Sequence, residues 1–183
     1  EDIVDSNRRI KHFLRYIAGK TICDFGCGEG EFLSKAKSFA KKLIGIELQN
    51  PGHEWGYTPF PNLQMGALRE LSQDILARYQ ISNRLVLGHS DVAPARKKDP
   101  GHLFDWKWLA KSGVGYWPET SPVKSSVDSV TIRKSLNNIG YDPRAKIVDV
   151  ITAIQRHYRP KRIDGKIDAD CVSIINALEN DTP

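Results

Sequence analysis

The sequence predicts an α/β fold, with a mixed central sheet flanked by helices and a small three-helix module after it. Two apolar runs, over residues 21–25 and 43–48, enclose a helical pattern, which is typical of parallel neighbouring strands. Apolar residues at helical spacing recur over 62–79, and three short helical patterns follow residue 126. A chain of 183 residues has room for one compact domain and an appendage, which excludes two full-sized enzyme domains.

The first predicted unit covers residues 1–43. Its strand over 21–25 is followed by a glycine run, by a helix over about 31–40 and then by the strand over 43–48. Because glycine has no Cβ, backbone N–H groups in such a run can approach a ligand closely, and the following helix N-terminus favours anionic groups. Glu47 ends the second strand, where an acidic side chain can accept hydrogen bonds from ribose hydroxyls.

The stretch from Ile22 to Leu33, ICDFGCGEGEFL, resembles the S-adenosylmethionine-binding motif of class I methyltransferases. The resemblance implies that Gly26, Gly28 and Glu47 contact S-adenosylmethionine as a cofactor. It covers about the first 48 residues, and the later motifs of that family do not follow. The alternative is a tight strand-to-helix turn that needs glycine and holds no ligand.

The second predicted unit covers residues 44–119. Apolar periodicity predicts a helix over 62–79 and a strand over 84–89. A long irregular loop then runs over 90–101. Loops of this length in compact domains are often functional.

Four side chains in this unit have the chemistry of a zinc hydrolase. The imidazole of His89 and the carboxylate of Asp99 could converge on one zinc ion, whose catalytic sites usually have three protein ligands and a water. Lys97, between them, could stabilise a developing oxyanion. Glu47, on the neighbouring strand, could act as general base for the attacking water.

Two segments, IGIELQNPGHEWGY over 44–57 and GHSDVAPARKKDPG over 88–101, resemble the zinc-dependent N-acetylmuramoyl-L-alanine amidases of the type 2 amidase family. The resemblance implies the same roles for the four side chains named above: two zinc ligands, an oxyanion-stabilising lysine and a general base. It also implies hydrolysis of the amide between N-acetylmuramic acid and L-alanine in peptidoglycan or its fragments. The four tryptophans of this unit could line a sugar-binding groove or pack in the core.

One family feature is not visible in the sequence. These amidases take their first zinc ligand from a histidine at the end of an N-terminal strand, whereas the only histidine before Glu47 is His12, in a predicted helix. His12 or His53 could substitute, although a loop histidine is more often solvated. If the zinc site is incomplete, the alternative function is a non-catalytic peptidoglycan-binding protein. A methyltransferase start fused to an amidase body and a divergent amidase are both open.

The third predicted unit covers residues 126–183 and consists of short helices. The segments IQRHYRP over 154–160 and IDGKIDA over 163–169 resemble the three-helix peptidoglycan-binding module often fused to such amidases. This resemblance implies peptidoglycan or muropeptides as the partner. His157 is predicted to be a surface or packing residue.

Composition adds a few expectations. The 27 Lys and Arg against 22 Asp and Glu give a net charge of +5, a mild excess that needs no nucleic acid partner. No apolar run approaches the roughly 18 residues of a membrane span. Three cysteines do not make a disulfide framework. No export signal is visible in the chain as given, so the compartment stays open between cytoplasm and envelope.

Overall fold

The computed structural model describes residues 18–25, 31–123 and 128–181. The first described elements are strand β1 (Thr21–Phe25), helix α1 (Glu31–Ala36) and strand β2 (Lys42–Ile46). The two strands pair in parallel, with Thr21 opposite Lys42 and Phe25 opposite Ile46, as the sequence predicted. The protein is therefore of the α/β class, and a larger mixed sheet stays a prediction.

Helix α1 packs on this pair of strands through a small apolar contact. Ala36, its last residue, is fully buried, and Ile22, Leu33 and Leu43 pack against it. The helix ends earlier than predicted because the chain turns there, and the N–H of Phe39 bonds to the carbonyl of Ala36 at 3.0 Å. The glycine run over 26–30 lies outside the described residues.

After β2 come a short helix and a long one, α2 (Gly52–Trp55) and α3 (Asn62–Tyr79). The predicted bounds of α3 are confirmed. Its buried residues recur every three or four positions, so one face packs on the core. These residues are Met65, Leu68, Ser72 and Ile75.

The strand predicted over 84–89 is wrong. A turn of 3-10 helix (Asn83–Leu85) and the short helix α4 (His89–Val92) occupy this segment instead. Helix α4 begins where it does because the Asp91 carboxylate accepts a hydrogen bond from the N–H of Gly88, at 2.8 Å. The candidate zinc-binding histidine therefore lies at the start of a helix, not at the end of a strand.

Helix α5 (Trp106–Lys111) completes this part of the chain. The Asp105 carboxylate caps it by accepting a hydrogen bond from the N–H of Trp108, at 2.9 Å. The loops and helices between β2 and residue 117 share one apolar core. Its buried members are Ile46, Phe60, Met65, Leu68, Ile75, Val86, Phe104, Trp106, Leu109 and Val114.

Three further helices follow, α6 (Ser129–Ile139), α7 (Ile147–Tyr158) and α8 (Ala169–Asn180). Asp128 caps α6, and Gly140, with φ of 118°, ends it in the left-handed conformation. These helices have an apolar core of their own. Its buried members are Ile132, Leu136, Val150, Ile151, Ile154, Cys171, Val172, Ile174, Ile175 and Leu178.

The C-terminal helices contact the rest of the chain mainly through α7, which packs against α4 and α5. The guanidinium of Arg84 also donates a hydrogen bond to the carbonyl of Leu178, at 2.7 Å. The hydroxyl of Tyr116 bonds to the carboxylate of Asp181. Across the described ranges, no helix has both the length and the apolar character needed to span a membrane.

Candidate active site

The two predicted zinc ligands meet across the loop after α4. Nδ1 of His89 lies 2.6 Å from Oδ2 of Asp99, and the N–H of Ser90 donates a hydrogen bond to the carbonyl of Asp99 at 3.0 Å. The backbone bond therefore holds the returning loop against the first turn of α4. His89 is 5% exposed, so its imidazole is placed by packing as well as by hydrogen bonding.

The charges around Asp99 favour its ionised form. Burial alone would raise the pKa of this carboxyl group, but the hydrogen bond and charge of His89 outweigh it, so the pKa lies below its ordinary value. Lys97 lowers the pKa of Asp99 further through its charge. The structure thus brings together three of the four predicted site residues, with Lys97 half-buried beside the ligand pair.

Glu47, the predicted general base, directly follows β2 and is exposed. The residue before it, Ile46, is buried in the same core as Val86, which precedes α4. A surface recess of about 650 Å³ begins two residues after Glu47. Its lining residues are Gln49, Asn50, Pro51, Thr58, Pro59, Pro61, Leu63 and Gln64. Glu47 is thus an exposed carboxylate that is close in sequence to this recess.

A buried histidine from the C-terminal helices, His157, contacts the first turn of α4, which carries His89. The sequence did not reveal this contact. Nδ1 of His157 lies 2.8 Å from Oδ2 of Asp91, and both side chains are buried. The ring of His157 stacks between Trp106 and Tyr158, with ring centroids 4.0 and 3.9 Å away and interplanar angles of 16°. The same Asp91 oxygen accepts the N–H of Gly88, so α7 is bonded directly to the turn that carries His89.

His157 was predicted to be a surface or packing residue, and it is a buried packing residue whose polar partner was missed. The acidic residue three positions after Gly88 is a helix N-terminus signal, and it could have pointed to Asp91. No local signal could have paired residues 91 and 157, because 66 positions separate them.

Two more side chains reach the loop from outside it. The ring of Tyr57 packs so closely on Gly101 that a Cβ there would lie 2.4 Å from its Cε1. Burial and then the charge of Asp99 raise the pKa of the Tyr57 hydroxyl, against an opposing effect of Arg156. Burial lowers the pKa of the Arg156 guanidinium, against the charges of Tyr57, Asp91 and Asp99. Tyr57 and Arg156 therefore lie in the electrostatic neighbourhood of Asp99.

His89 and Asp99 carry donor types that zinc takes, an imidazole nitrogen and a carboxylate oxygen, and in this structure Nδ1 of His89 and Oδ2 of Asp99 are hydrogen-bonded to each other. A third ligand is not assembled: within 18–25, 31–123 and 128–181, no cluster of three or more His, Cys, Asp or Glu side chains could hold a metal. His12 lies outside these ranges, and the side chain of His53 is not described.

The predicted cofactor contacts and the tryptophans were the other candidate binding residues. Gly26 and Gly28 lie outside the described residues, so their contact with S-adenosylmethionine stays a prediction. Of the tryptophans, Trp106 is buried in the core, while Trp108 and Trp117 are half-buried against it. Trp55, in α2, is 84% exposed and is the tryptophan most available to a ligand.

A family comparison decides the class of this chain. Residues 3–102 match the model of the N-acetylmuramoyl-L-alanine amidases, Amidase_2. The chain belongs to this amidase family. The family predicted from the segments 44–57 and 88–101 is confirmed. The matched range also crosses residue 43, where the sequence predicted a boundary between the methyltransferase-like segment and the amidase-like core.

Named relatives agree with this assignment. The chain is 38% identical over 154 residues to N-acetylmuramoyl-L-alanine amidase AmiD of Escherichia coli, covering 74% of this chain and 56% of AmiD. It is 31% identical over 106 residues to 1,6-anhydro-N-acetylmuramyl-L-alanine amidase AmpD of Haemophilus influenzae, covering 57% and 53% of the two chains. The chain thus spans little more than half the length of these curated relatives.

Solved structures show the same fold. The complex of Escherichia coli AmiD with the substrate anhydro-N-acetylmuramic acid-L-Ala-D-γ-Glu-L-Lys superposes with a TM-score of 0.67 at 37% identity, covering 76% of this chain and 62% of AmiD. AmpDh3 of Pseudomonas aeruginosa gives a TM-score of 0.57 at 29% identity, with the same coverage of 76% and 62%.

Proposed function

We propose that this amidase performs zinc-dependent hydrolysis of the amide bond between N-acetylmuramic acid and L-alanine in peptidoglycan or its fragments. The observation that carries the proposal is the convergence of His89 and Asp99 in a chain of this family. The muropeptide bound to the related AmiD supports fragments as substrates.

The residues of the site divide the reaction between them. His89 and Asp99 would hold the zinc ion, which when bound would supply Lewis-acid polarisation of the amide carbonyl. Glu47 takes a proton from the water that attacks the lactyl carbonyl carbon, and delivers it to the alanine nitrogen as the C–N bond breaks. The ammonium group of Lys97 stabilises the charge that develops on the carbonyl oxygen. One water is consumed, and the products are a muramic acid carboxylate and a free peptide amine.

The remaining zinc ligand is proposed to be His12 or His53, the two histidines outside the described side chains. The C-terminal helices α6 to α8 are proposed to bind the cell-wall polymer. Their resemblance to a peptidoglycan-binding module supports this role.

Zinc binding tests the metal part of the proposal. Wild-type protein stripped with a chelator and reconstituted should bind one zinc ion, whereas His89→Ala and Asp99→Ala should bind it at least about tenfold more weakly, because each removes a ligand. His102→Ala is the matched control, since His102 is exposed on the same loop. The same titration on His12→Ala and His53→Ala identifies the third ligand. Unchanged affinity in both loop-ligand variants would exclude this site.

Hydrolysis of a muropeptide tests the chemical part. Glu47→Ala should reduce kcat by about a hundredfold or more, since a general base typically contributes that much, and it should leave zinc stoichiometry unchanged. Glu70→Gln, an exposed glutamate of α3, serves as the control for loss of a surface charge. Unchanged turnover in Glu47→Ala would refute the assigned role.

A second candidate function is non-catalytic peptidoglycan binding. It is favoured by the lack of a third ligand among the described side chains. Sedimentation of the protein with purified peptidoglycan, combined with sub-stoichiometric zinc and no hydrolysis, would support this function. Stoichiometric zinc with turnover would exclude it.

A further inference from the structure

The turn that carries His89 is bonded to the C-terminal helices through a single carboxylate oxygen. Oδ2 of Asp91 accepts the N–H of Gly88 at 2.8 Å, and Nδ1 of His157 lies 2.8 Å from the same oxygen. The side chains of His157 and Asp91 are 2% and 5% exposed, so water does not compete for this bond. The oxygen therefore connects α7 to the residue directly before His89.

The space around Gly88 is filled, so this turn has little room to move. A Cβ on Gly88 would lie 2.7 Å from Cδ of Pro100 and 3.1 Å from Cζ2 of Trp106. Pro100 directly follows Asp99, and Trp106 is the residue whose ring stacks on His157, with centroids 4.0 Å apart. Residues adjacent to the two candidate zinc ligands thus pack on each other, and His157 supports the tryptophan that closes one side of Gly88.

The position of this turn decides the geometry of the candidate ligands. Nδ1 of His89 lies 2.6 Å from Oδ2 of Asp99, and the N–H of Ser90 donates to the carbonyl of Asp99 at 3.0 Å. Both contacts start within two positions of Gly88, so they shift if the turn shifts. Metal–ligand distances tolerate only about 0.2 Å, and groups that orient ligands typically change metal affinity about ten- to a hundredfold. A small displacement of the turn is therefore enough to weaken metal binding.

We propose that His157 is a positioning residue for the metal site: through its bond to Asp91 it holds the turn that carries His89 in place against Asp99. This inference rests on the proposed function and goes beyond it, since zinc affinity in the unit over 44–119 then depends on a residue of the C-terminal helices. His157 acts through Asp91 and not on the substrate. The helices proposed to bind the cell-wall polymer thus have a second role, which is to maintain the metal site.

Two substitutions of His157 separate its hydrogen bond from the packing of its ring. His157→Phe keeps a flat ring beside Trp106 and removes the donor. His157→Asn loses the ring but places an amide N–H close to the position of Nδ1, so it can still donate to Asp91. Leu136→Ala is the control for stability, because Leu136 is buried in the core of the same helices and its truncation lowers stability without removing the bond to Asp91.

Hydrogen exchange of the metal-free proteins measures how firmly the turn is held. The N–H of Ser90 is protected by its bond to Asp99 only while the turn is closed. We expect this amide to exchange about tenfold faster in His157→Phe, as for loss of a buried hydrogen bond, and to regain much of its protection in His157→Asn. Leu136→Ala should match wild type at a temperature where thermal melts show every variant folded. Zinc affinity, measured by competition with a chelator, should follow the same order, with His157→Phe about tenfold weaker than wild type.

The outcomes separate this inference from the proposed function. Equal Ser90 exchange in wild type and His157→Phe would overturn the positioning role, as would an unchanged zinc affinity in a protein that binds zinc. Equal losses in His157→Phe and Leu136→Ala would also overturn it, because they would reflect general stability. No recovery in His157→Asn would assign the effect to ring packing and contradict the route through Asp91. If wild type binds no zinc, the proposed function fails, and a loss of Ser90 protection confined to His157→Phe still supports the positioning role.

Discussion

Asp168 illustrates how one carboxylate can serve two purposes at a helix end. It caps α8 by accepting the N–H of Cys171, at 3.1 Å, and it accepts two hydrogen bonds from the guanidinium of Arg159, at 2.6 and 2.7 Å. The arginine hydrogen bond lowers the pKa of Asp168 to about 2. The ionised form therefore stabilises the folded state.

The stability contribution of Asp168 should depend on pH. Because its folded pKa lies below the ordinary 3.8, the contribution is complete above about pH 5 and is lost as the pH falls from about 4 towards 2. We expect Asp168→Ala to cost about 1–2 kcal/mol at pH 7, from the cap and a partly exposed ion pair. Denaturant unfolding from pH 7 to pH 2 measures this.

The control for that prediction is Asp168→Asn, which keeps a capping side chain and removes the charge. It should recover about half of the loss at pH 7. If the gap between wild type and Asp168→Ala stayed constant down to pH 2, the ionised carboxylate would have no part in stability.

Gly101 is held in a conformation and a space that only glycine fits. Its φ is 87°, and a Cβ would lie 2.4 Å from the Tyr57 ring. Gly113 has nearly the same φ, 85°, with its nearest neighbour 3.9 Å away. Gly113→Ala should therefore cost about 1–2 kcal/mol for backbone strain alone. Gly101→Ala should cost about 1–3 kcal/mol more, because Tyr57 must move.

Urea unfolding of both glycine variants separates strain from crowding. Equal losses in the two variants would mean that Tyr57 yields without cost. In that case the ring would not be a fixed wall of the site.

At the scale of elements, the joint between α7 and α4 is the contact with most consequence. Removing the imidazole in His157→Ala leaves the Asp91 carboxylate buried with one bond fewer and opens a space beside Trp106. We expect a loss of about 3–5 kcal/mol in the free energy of unfolding, typical of a buried pair deprived of one partner.

A double-mutant cycle checks that the loss belongs to the pair. In Asp91→Asn the charge is gone, so His157→Ala should cost less in that background by about 1–3 kcal/mol. Additive losses would show that packing of the imidazole ring, not its bond to Asp91, stabilises the joint.

Elements with a strong local signal could be predicted from the sequence. The bounds of α3 and the parallel strands β1 and β2 follow from apolar periodicity and a glycine run between strands. The strand predicted over 84–89 was wrong because periodicity alone does not distinguish a short apolar strand from a short helical segment. Here the bond between Gly88 and Asp91 starts a helix instead.

The site was predictable only in part, because some of its residues are close in sequence and others are brought together only by the fold. His89, Lys97 and Asp99 share one loop, so their spacing and chemistry were visible together. Arg156 and His157 come to the loop from a separate helix, and only the tertiary structure brings them there. The third zinc ligand could not be identified, because no cluster of three His, Cys, Asp or Glu side chains that could hold a metal occurs among the described residues.

At the scale of the molecule, the two apolar cores should unfold together. His157, Arg84 and Tyr116 all bond across the boundary between them. A fragment ending at residue 123 would expose Trp106 and leave Asp91 without its buried partner. We expect this fragment to be unfolded, or destabilised by several kcal/mol relative to the full chain.

The four tryptophans lie between residues 55 and 117, so their fluorescence reports the first core and its contact with α7, where Trp106 stacks on His157. Far-ultraviolet circular dichroism reports all helices. In the full chain the two signals should give one midpoint in urea. Two separate midpoints, or a fragment with the midpoint of the full chain, would show that the cores fold independently.

The bond between His157 and Asp91 also limits how such chains can be recombined. A helical unit exchanged for one from another member of this family would need a hydrogen-bond donor at the same point of its second helix, with a flat ring to stack on Trp106. Without that donor, the exchange would bury a lone carboxylate under the loop that carries His89. A hybrid between members of this family should therefore take α4 and α7 from the same parent.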